Sequence, residues 1–178
     1  DADEADGNRT RRSRRWTDLP PVRLALAVGL ASVVALAAVC GWLGYRAHQS
    51  HQAEQLRALL VQVGKQGAVN LTTIDYERAD ADVQRILDSA TGEFYDDFNA
   101  RSAPFVDVVQ KVQSKSVGTV TEAGLESVTG QEGQVLVAVT VTTTNGGAPA
   151  DQPRYWRMRL TVTQQGEGAK VSKVEFVP

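Results

Sequence analysis

From Leu24 to Tyr45 the chain runs for 22 residues without a charged side chain. As a helix, that run would be roughly 33 Å long, enough to cross the hydrocarbon of a bilayer. It is longer than the apolar core of a signal peptide, and no A-x-A cleavage site closes it. Trp42 and Tyr45, rings that favour the membrane interface, lie at its end, and Arg46 comes next. Residues 24–45 therefore read as a transmembrane helix. The helical period continues past it: Leu56, Leu59, Leu60 and Val63 recur at helical spacing among Gln, Arg and Lys. Residues 46–71 read as a stalk and first helix.

The stretch Asn70 to Tyr76 breaks this pattern, with β-branched Thr72 and Thr73 and with Asp75 placed to cap the next helix. That second helix is expected from Tyr76. Its apolar face is Tyr76, Ala79, Val83, Ile86, Leu87 and Ala90, and Glu77, Asp80, Asp82 and Asp88 lie on a solvated side. Gly92 is expected as its C-cap. A short piece with Phe94, Tyr95 and Phe98 comes after it, and Pro104 is expected to open a third helix with Phe105, Val108, Val109 and Val112 on one side.

From about Ser116 the period changes from 3.6 to 2. Val117 to Thr129 is strand-like, Gln131-Glu132-Gly133 is a turn, and Val135, Val137, Val139 and Val141 alternate along a second strand. Asn145 to Pro153 is a Gly- and Pro-rich loop. Trp156, Met158, Leu160 and Val162 then alternate with Arg157, Arg159, Thr161 and Thr163, and Gly166 and Gly168 lead into a last strand with Val174 and Phe176. Short connections make these strands antiparallel. The expected fold is α+β: one N-terminal transmembrane helix, then a domain over residues 72–178 of about three helices packed on a curved antiparallel sheet of about four strands.

Charge adds orientation. Arg9, Arg11, Arg12, Arg14, Arg15 and Arg23 precede the span, whereas only Arg46 and Arg57 lie closely after it. The positive-inside rule puts the N-terminus in the cytoplasm and the C-terminal domain outside the plasma membrane. Residues 1–23 read as a disordered, Arg-rich cytoplasmic tail whose charge suits anionic headgroups. Beyond Tyr45 there are 13 Lys and Arg against 16 Asp and Glu, which argues against a nucleic-acid partner. That part contains no cysteine, so its core must form without a disulfide.

The phrase Asn70-Leu71-Thr72-Thr73-Ile74-Asp75-Tyr76 and the acidic amphipathic helix ending Ala90-Thr91-Gly92-Glu93-Phe94 stand after a single membrane helix and a polar helix. In these the chain resembles the Mce-associated membrane proteins of mycobacteria and related actinobacteria. The likeness runs from the span to Pro178 and is most specific from Asn70 to Phe98. It implies a cone-shaped outer domain like that of nuclear transport factors and of a type IV secretion scaffold subunit. It also implies an accessory role beside Mce-type lipid or sterol importers, with the permease and substrate-binding proteins as partners. It carries over no catalytic residues.

The chemistry readable from the residues is sparse. His48 and His51 share a helical face with Glu54, but no third histidine or cysteine completes a zinc set, so no metal is expected. With both histidines on the stalk, a Ser-His-Asp arrangement in the domain is excluded, and neither enzymatic activity nor a cofactor is expected. Gly29, Ala31, Ala35, Ala37, Ala38 and Gly41 permit close helix–helix packing in the membrane. Phe94, Phe98, Phe105, Trp156, Met158 and Phe176 either fill the core or line an apolar pocket. Arg157 and Arg159 share a strand face, either paired with Glu126 or Glu175 or offered to an acidic neighbour subunit. Three functions stay open: an accessory subunit of a lipid importer, an extracytoplasmic lipid-binding module, and a self-assembling envelope scaffold.

Overall fold

The computed structural model describes residues 21–148 and 150–178. The tail expected over residues 1–23 thus lies outside the described residues as far as Pro20, as does Pro149 of the expected loop. By its contacts the chain divides into two units, the first ending at Gln49 and the second spanning Ser50–Pro178.

Helix α1 is Pro21–Thr72. In the first unit its apolar side chains point outward: Leu26, Leu30 and Leu36 are each about two-thirds exposed, at 68%, 69% and 65%. The small residues Gly29, Ala31, Ala35, Ala38 and Gly41 are exposed as well.

The second unit continues with β1 (Ile74–Asp75), one 3₁₀ turn (Tyr76–Arg78), α2 (Ala79–Asp88) and α3 (Gly92–Lys111). Then come β2 (Ser114–Thr129), β3 (Glu132–Asn145), β4 (Arg154–Gln165) and β5 (Gly168–Phe176). The strands form one antiparallel sheet in the order β1-β2-β3-β4-β5. Irregularities in β2 between Val120 and Glu122 and between Leu125 and Ser127 help to curl it.

Alternation decides the sheet's inner face. Val135, Val137, Val139 and Val141 on β3 are buried with Met158, Leu160 and Val162 on β4 and Val171 on β5. The last turns of α1 lie on this face through Leu60 and Ala68. Two glycines let the helix backbone approach closely: a Cβ on Gly64 would sit 2.9 Å from Val135 Cβ, and one on Gly67 would sit 2.7 Å from Val171 Cγ2. A second cluster joins Ile74, Ala79, Val83, Ile86 and Leu87 to Val106 and Val109 of α3. The segment expected as a stalk is therefore, from Leu56 on, part of the domain's packing.

The phrase Asn70 to Tyr76 is the joint between helix and sheet. Thr72 Oγ1 donates to Ala68 O at 2.7 Å, and Thr73 Oγ1 accepts from Gly118 N at 3.1 Å. Asn70 Oδ1 accepts from Gln66 Nε2 at 2.9 Å. The Asp75 side chain accepts from Glu77 N at 3.1 Å, the capping bond its position suggests.

The four long strands expected are present, and a two-residue strand extends the sheet at one edge, because Ile74–Asp75 pairs with Lys115 and Ser116. Three local expectations are corrected. Gly92 opens α3, with φ +55°, while Ser89 caps α2. No break precedes Pro104, which lies inside α3. The half-buried Phe94 and Phe98 and the buried Val106 and Val109 continue one stripe across it, so packing on both sides offsets the lost hydrogen bond. Phe105, Val108 and Val112 are consequently exposed. Asp82 is buried, not solvated: its carboxylate accepts from Asp75 N at 2.8 Å and pairs with Arg85, whose Nη2 donates to Thr73 O at 3.0 Å. A carboxylate so partnered tolerates burial.

Candidate functional site

Between the end of α1, the first half of α3 and the inner face of β4 and β5 lies a cavity of about 350 Å³. Leu71, Phe94, Trp156, Met158, Val174 and Phe176 supply its apolar wall. Glu93, Asp97 and Arg101 line it from α3, and Lys173 lines it from β5. The alternation that buries Met158 and Leu160 carries Trp156 and, through the register Met158↔Phe176, Phe176 to the same face. There the covering layer ends. Trp156 and Phe176 meet edge to face, with centroids 5.7 Å apart, and Phe176 is 68% exposed.

Four of the six aromatic and Met positions singled out from sequence thus line one cavity: Phe94, Trp156, Met158 and Phe176. The other two do not. Phe98 packs half-buried against the second core cluster, 5.8 Å from Phe94, and Phe105 sits on the α3 surface, 6.1 Å from Phe98. Sequence reasoning missed the charged lining, because α3 and β5 are distant in the chain. At its lower end the pocket size range known for small ligands includes about 350 Å³. The aromatic and aliphatic part of the wall offers apolar contact, and four charged side chains border it. Among the described residues no cluster of three metal-ligating side chains occurs. His51 Nδ1 lies 3.9 Å from Glu54 Oε2 on exposed α1.

The two arginines differ. Arg159 makes a bidentate pair with Glu126, Nε to Oε2 at 2.6 Å and Nη2 to Oε1 at 3.0 Å. This Arg159 hydrogen bond holds Glu126 below its usual carboxyl range. Arg157 is exposed and lines a hollow of about 390 Å³ on the outer face with Glu122, Leu136 and Val177. A second strong pair is Lys115–Asp75, at 2.9 Å. The hydrogen bond from Lys115, and then that from Glu77 N, lowers Asp75; the same pairing raises Lys115.

These shifts set a pH window. Asp75 and Glu126 have folded values below their ordinary 3.8 and 4.5. Their contribution is complete above those ordinary values and is lost as pH falls through the lowered ones. Lys115 lies above its ordinary 10.5, so its contribution is complete below that value and is lost as pH rises through the raised one. Unfolding midpoints of the full chain in detergent should be level between these limits. Asp75→Asn should lower the plateau and flatten the acid limb. A variant whose acid limb is as steep as the parent's would contradict the assignment.

Residues 21–178 match the family model described as "Uncharacterized protein Rv1363c/MT1408-like". The "Uncharacterized protein Rv1363c" of Mycobacterium tuberculosis (strain ATCC 25618 / H37Rv) is 38% identical over 181 residues, covering 98% of this chain and 69% of the relative. Among solved structures, an IcmL-like type IV secretion system protein from Legionella pneumophila is similar at 19% identity and TM-score 0.56, over 68% of this chain and 92% of that one. The periplasmic domain of DotI is similar at 16% identity and TM-score 0.52, over 66% and 92%. At such identities the likeness is one of fold: an α+β arrangement of helices on a curled antiparallel sheet.

Proposed function

We propose, from the premise that this chain belongs to the Rv1363c/MT1408-like family, that it is a membrane-anchored, non-enzymatic subunit of a cell-envelope complex. The observation that carries this reading is the outward-facing apolar surface of α1, followed by a domain of the fold found in the secretion-system neighbours. Leucines exposed at 65–69% along a run of that length suit lipid and not water. The layout we favour is a cytoplasmic tail over residues 1–23, a single span over 24–45, and the remainder on the far side of the plasma membrane. The uneven arginines support that orientation.

The finer reading is an accessory subunit of an Mce-type lipid or sterol importer, held beside its permease and substrate-binding proteins. The residue likeness from Asn70 to Phe98 supports it. The small residues Gly29, Ala31, Ala35, Ala38 and Gly41 suit docking between membrane helices. The cavity lined by Phe94, Trp156, Met158 and Phe176 favours a second reading, an extracytoplasmic module that holds part of a lipid. The chain solubilised in mild detergent should retain permease and Mce subunits through affinity purification. Recovery of neither would remove the importer reading. Native mass spectrometry of the same preparation distinguishes the second, which requires a bound lipid that Met158→Trp displaces.

A further inference from the structure

The rings in the cavity between α1, α3 and the sheet come from two layers, Phe94 from α3 and Trp156 and Phe176 from the strands. Trp156 and Phe176 meet at 86°, edge to face, an arrangement that leaves both faces of one ring uncovered by the other. Aromatic faces carry partial negative charge and attract cations, indole most strongly. Met158, with no exposed surface, and the half-buried Leu71 and Val174 keep the rest of that wall apolar.

The charged residues on the border do not cancel. Arg101 is taken up by Asp97: its Nε donates to the Asp97 carbonyl at 3.0 Å, and its Nη2 lies 3.5 Å from the Asp97 carboxylate. Lys173 Nζ lies 3.1 Å from Glu175 Oε1. Glu93 stands in the first turn of α3, where a carboxylate is favourable, and makes no ion pair among the described residues. Both pairs are neutral, so one uncompensated negative charge borders the cavity that holds the rings.

This setting discriminates between headgroups. An anionic head would meet a carboxylate and negative ring faces together. A primary ammonium would have to shed a tight hydration shell against an apolar wall. A quaternary ammonium is weakly hydrated and loses least, and aromatic faces are a known recognition surface for it.

We infer that this cavity binds an apolar ligand carrying a quaternary ammonium group, with its tail against Leu71, Met158 and Val174 and its cation between Glu93 and the rings of Phe94 and Trp156. The inference rests on the reading of the cavity as a lipid-holding site and adds the chemistry of the head.

The test uses the full chain in nanodiscs of uncharged galactolipid, with Trp16→Phe and Trp42→Phe leaving Trp156 as the chain's sole indole. Discs without the chain are the blank. Hexyltrimethylammonium should change Trp156 emission saturably. Hexanesulfonate, of equal chain length and opposite charge, should bind more weakly by about tenfold or more. Choline, which has the head without the tail, should be weaker by about tenfold as well. Glu93→Gln should weaken binding of the hexyl cation by about fivefold, and Phe94→Leu by a similar factor, each with an unchanged circular dichroism spectrum. Four results overturn the inference: no saturable change beyond the blank, equal binding of hexanesulfonate, equal binding of choline, or unchanged affinity in Glu93→Gln. Equal binding of the two hexyl probes, or a native lipid that lacks an ammonium group, removes this inference and leaves the lipid-holding reading intact. An empty chain in native mass spectrometry removes that reading instead.

Discussion

Gly118→Ala is expected to destabilise the Ser50–Pro178 unit by about 3 kcal/mol, the upper end of the cost of overpacking a core. Gly118 is buried on β2, where the sheet passes the last turn of α1. A Cβ there would lie 1.8 Å from Thr72 Oγ1 and 2.6 Å from Thr72 Cβ. Neither atom is free to retreat: Thr72 is 3% exposed, its hydroxyl is bonded to Ala68 O, and the neighbouring Thr73 Oγ1 holds Gly118 N. Gly64 and Gly67 differ in this respect. A Cβ at either meets valine carbons at 2.7–2.9 Å, and alanine in a helix recovers about 1 kcal/mol of propensity, so milder losses are expected. In urea the Gly118→Ala midpoint should fall by roughly 1–2 M. Adding Thr72→Gly decides the mechanism. Alone it should destabilise, but in the Gly118→Ala chain it removes the clashing atoms and should restore stability. Additive losses in the double variant would show that the contact is not the cause.

That joint also marks the limit of what local pattern conveys. The alternation along β3 and β4 was plain in the sequence because each strand has one buried face, and Val135 to Val141 and Met158 to Val162 occupy it as expected. The α2 face was equally plain, since Ala79, Val83, Ile86 and Leu87 recur at helical spacing. β1 was not, because two residues have no period; Ile74–Asp75 is a strand only by virtue of Lys115 and Ser116 beside it. The unbroken α3 was hidden by Pro104, whose local preference yields to a packed stripe on both sides. Asp82 looked like a surface acid, because its partners, the Asp75 amide and Arg85, converge only in three dimensions. The cavity was half legible for the same reason. Trp156 and Phe176 of its aromatic wall come from strand alternation, but Phe94, Glu93, Asp97 and Arg101 arrive opposite Lys173 through the packing of α3 against β5. A signal for the close helix–sheet approach was present in Gly64 and Gly67, spaced about one helical turn apart beside Leu60 and Ala68.

The second large effect concerns the anchor. Val33→Lys with Leu36→Lys is expected to release the chain from the membrane. The two positions lie about one turn apart near the middle of residues 24–45. Their side chains are 63% and 65% exposed, so neither substitution disturbs a packed contact in the first unit. Each lysine at the centre of a span costs about 2.5–3.5 kcal/mol on insertion scales, so the pair opposes insertion by roughly 6 kcal/mol, about four decades in the partition constant. Mid-span lysines are also poorly placed to snorkel to either interface. Gln55→Lys with Gln62→Lys adds the same charge to exposed positions on the later part of α1 and should leave partition unchanged. The measurement is alkaline carbonate extraction of membranes from cells producing each chain. Retention of the Val33/Leu36 variant in the pellet would mean that this run does not span the bilayer, and the anchor would then have to be sought among the residues that contact partners. Release of that variant alone would tie membrane residence to the exposed apolar surface of α1, independently of any partner of the Ser50–Pro178 unit.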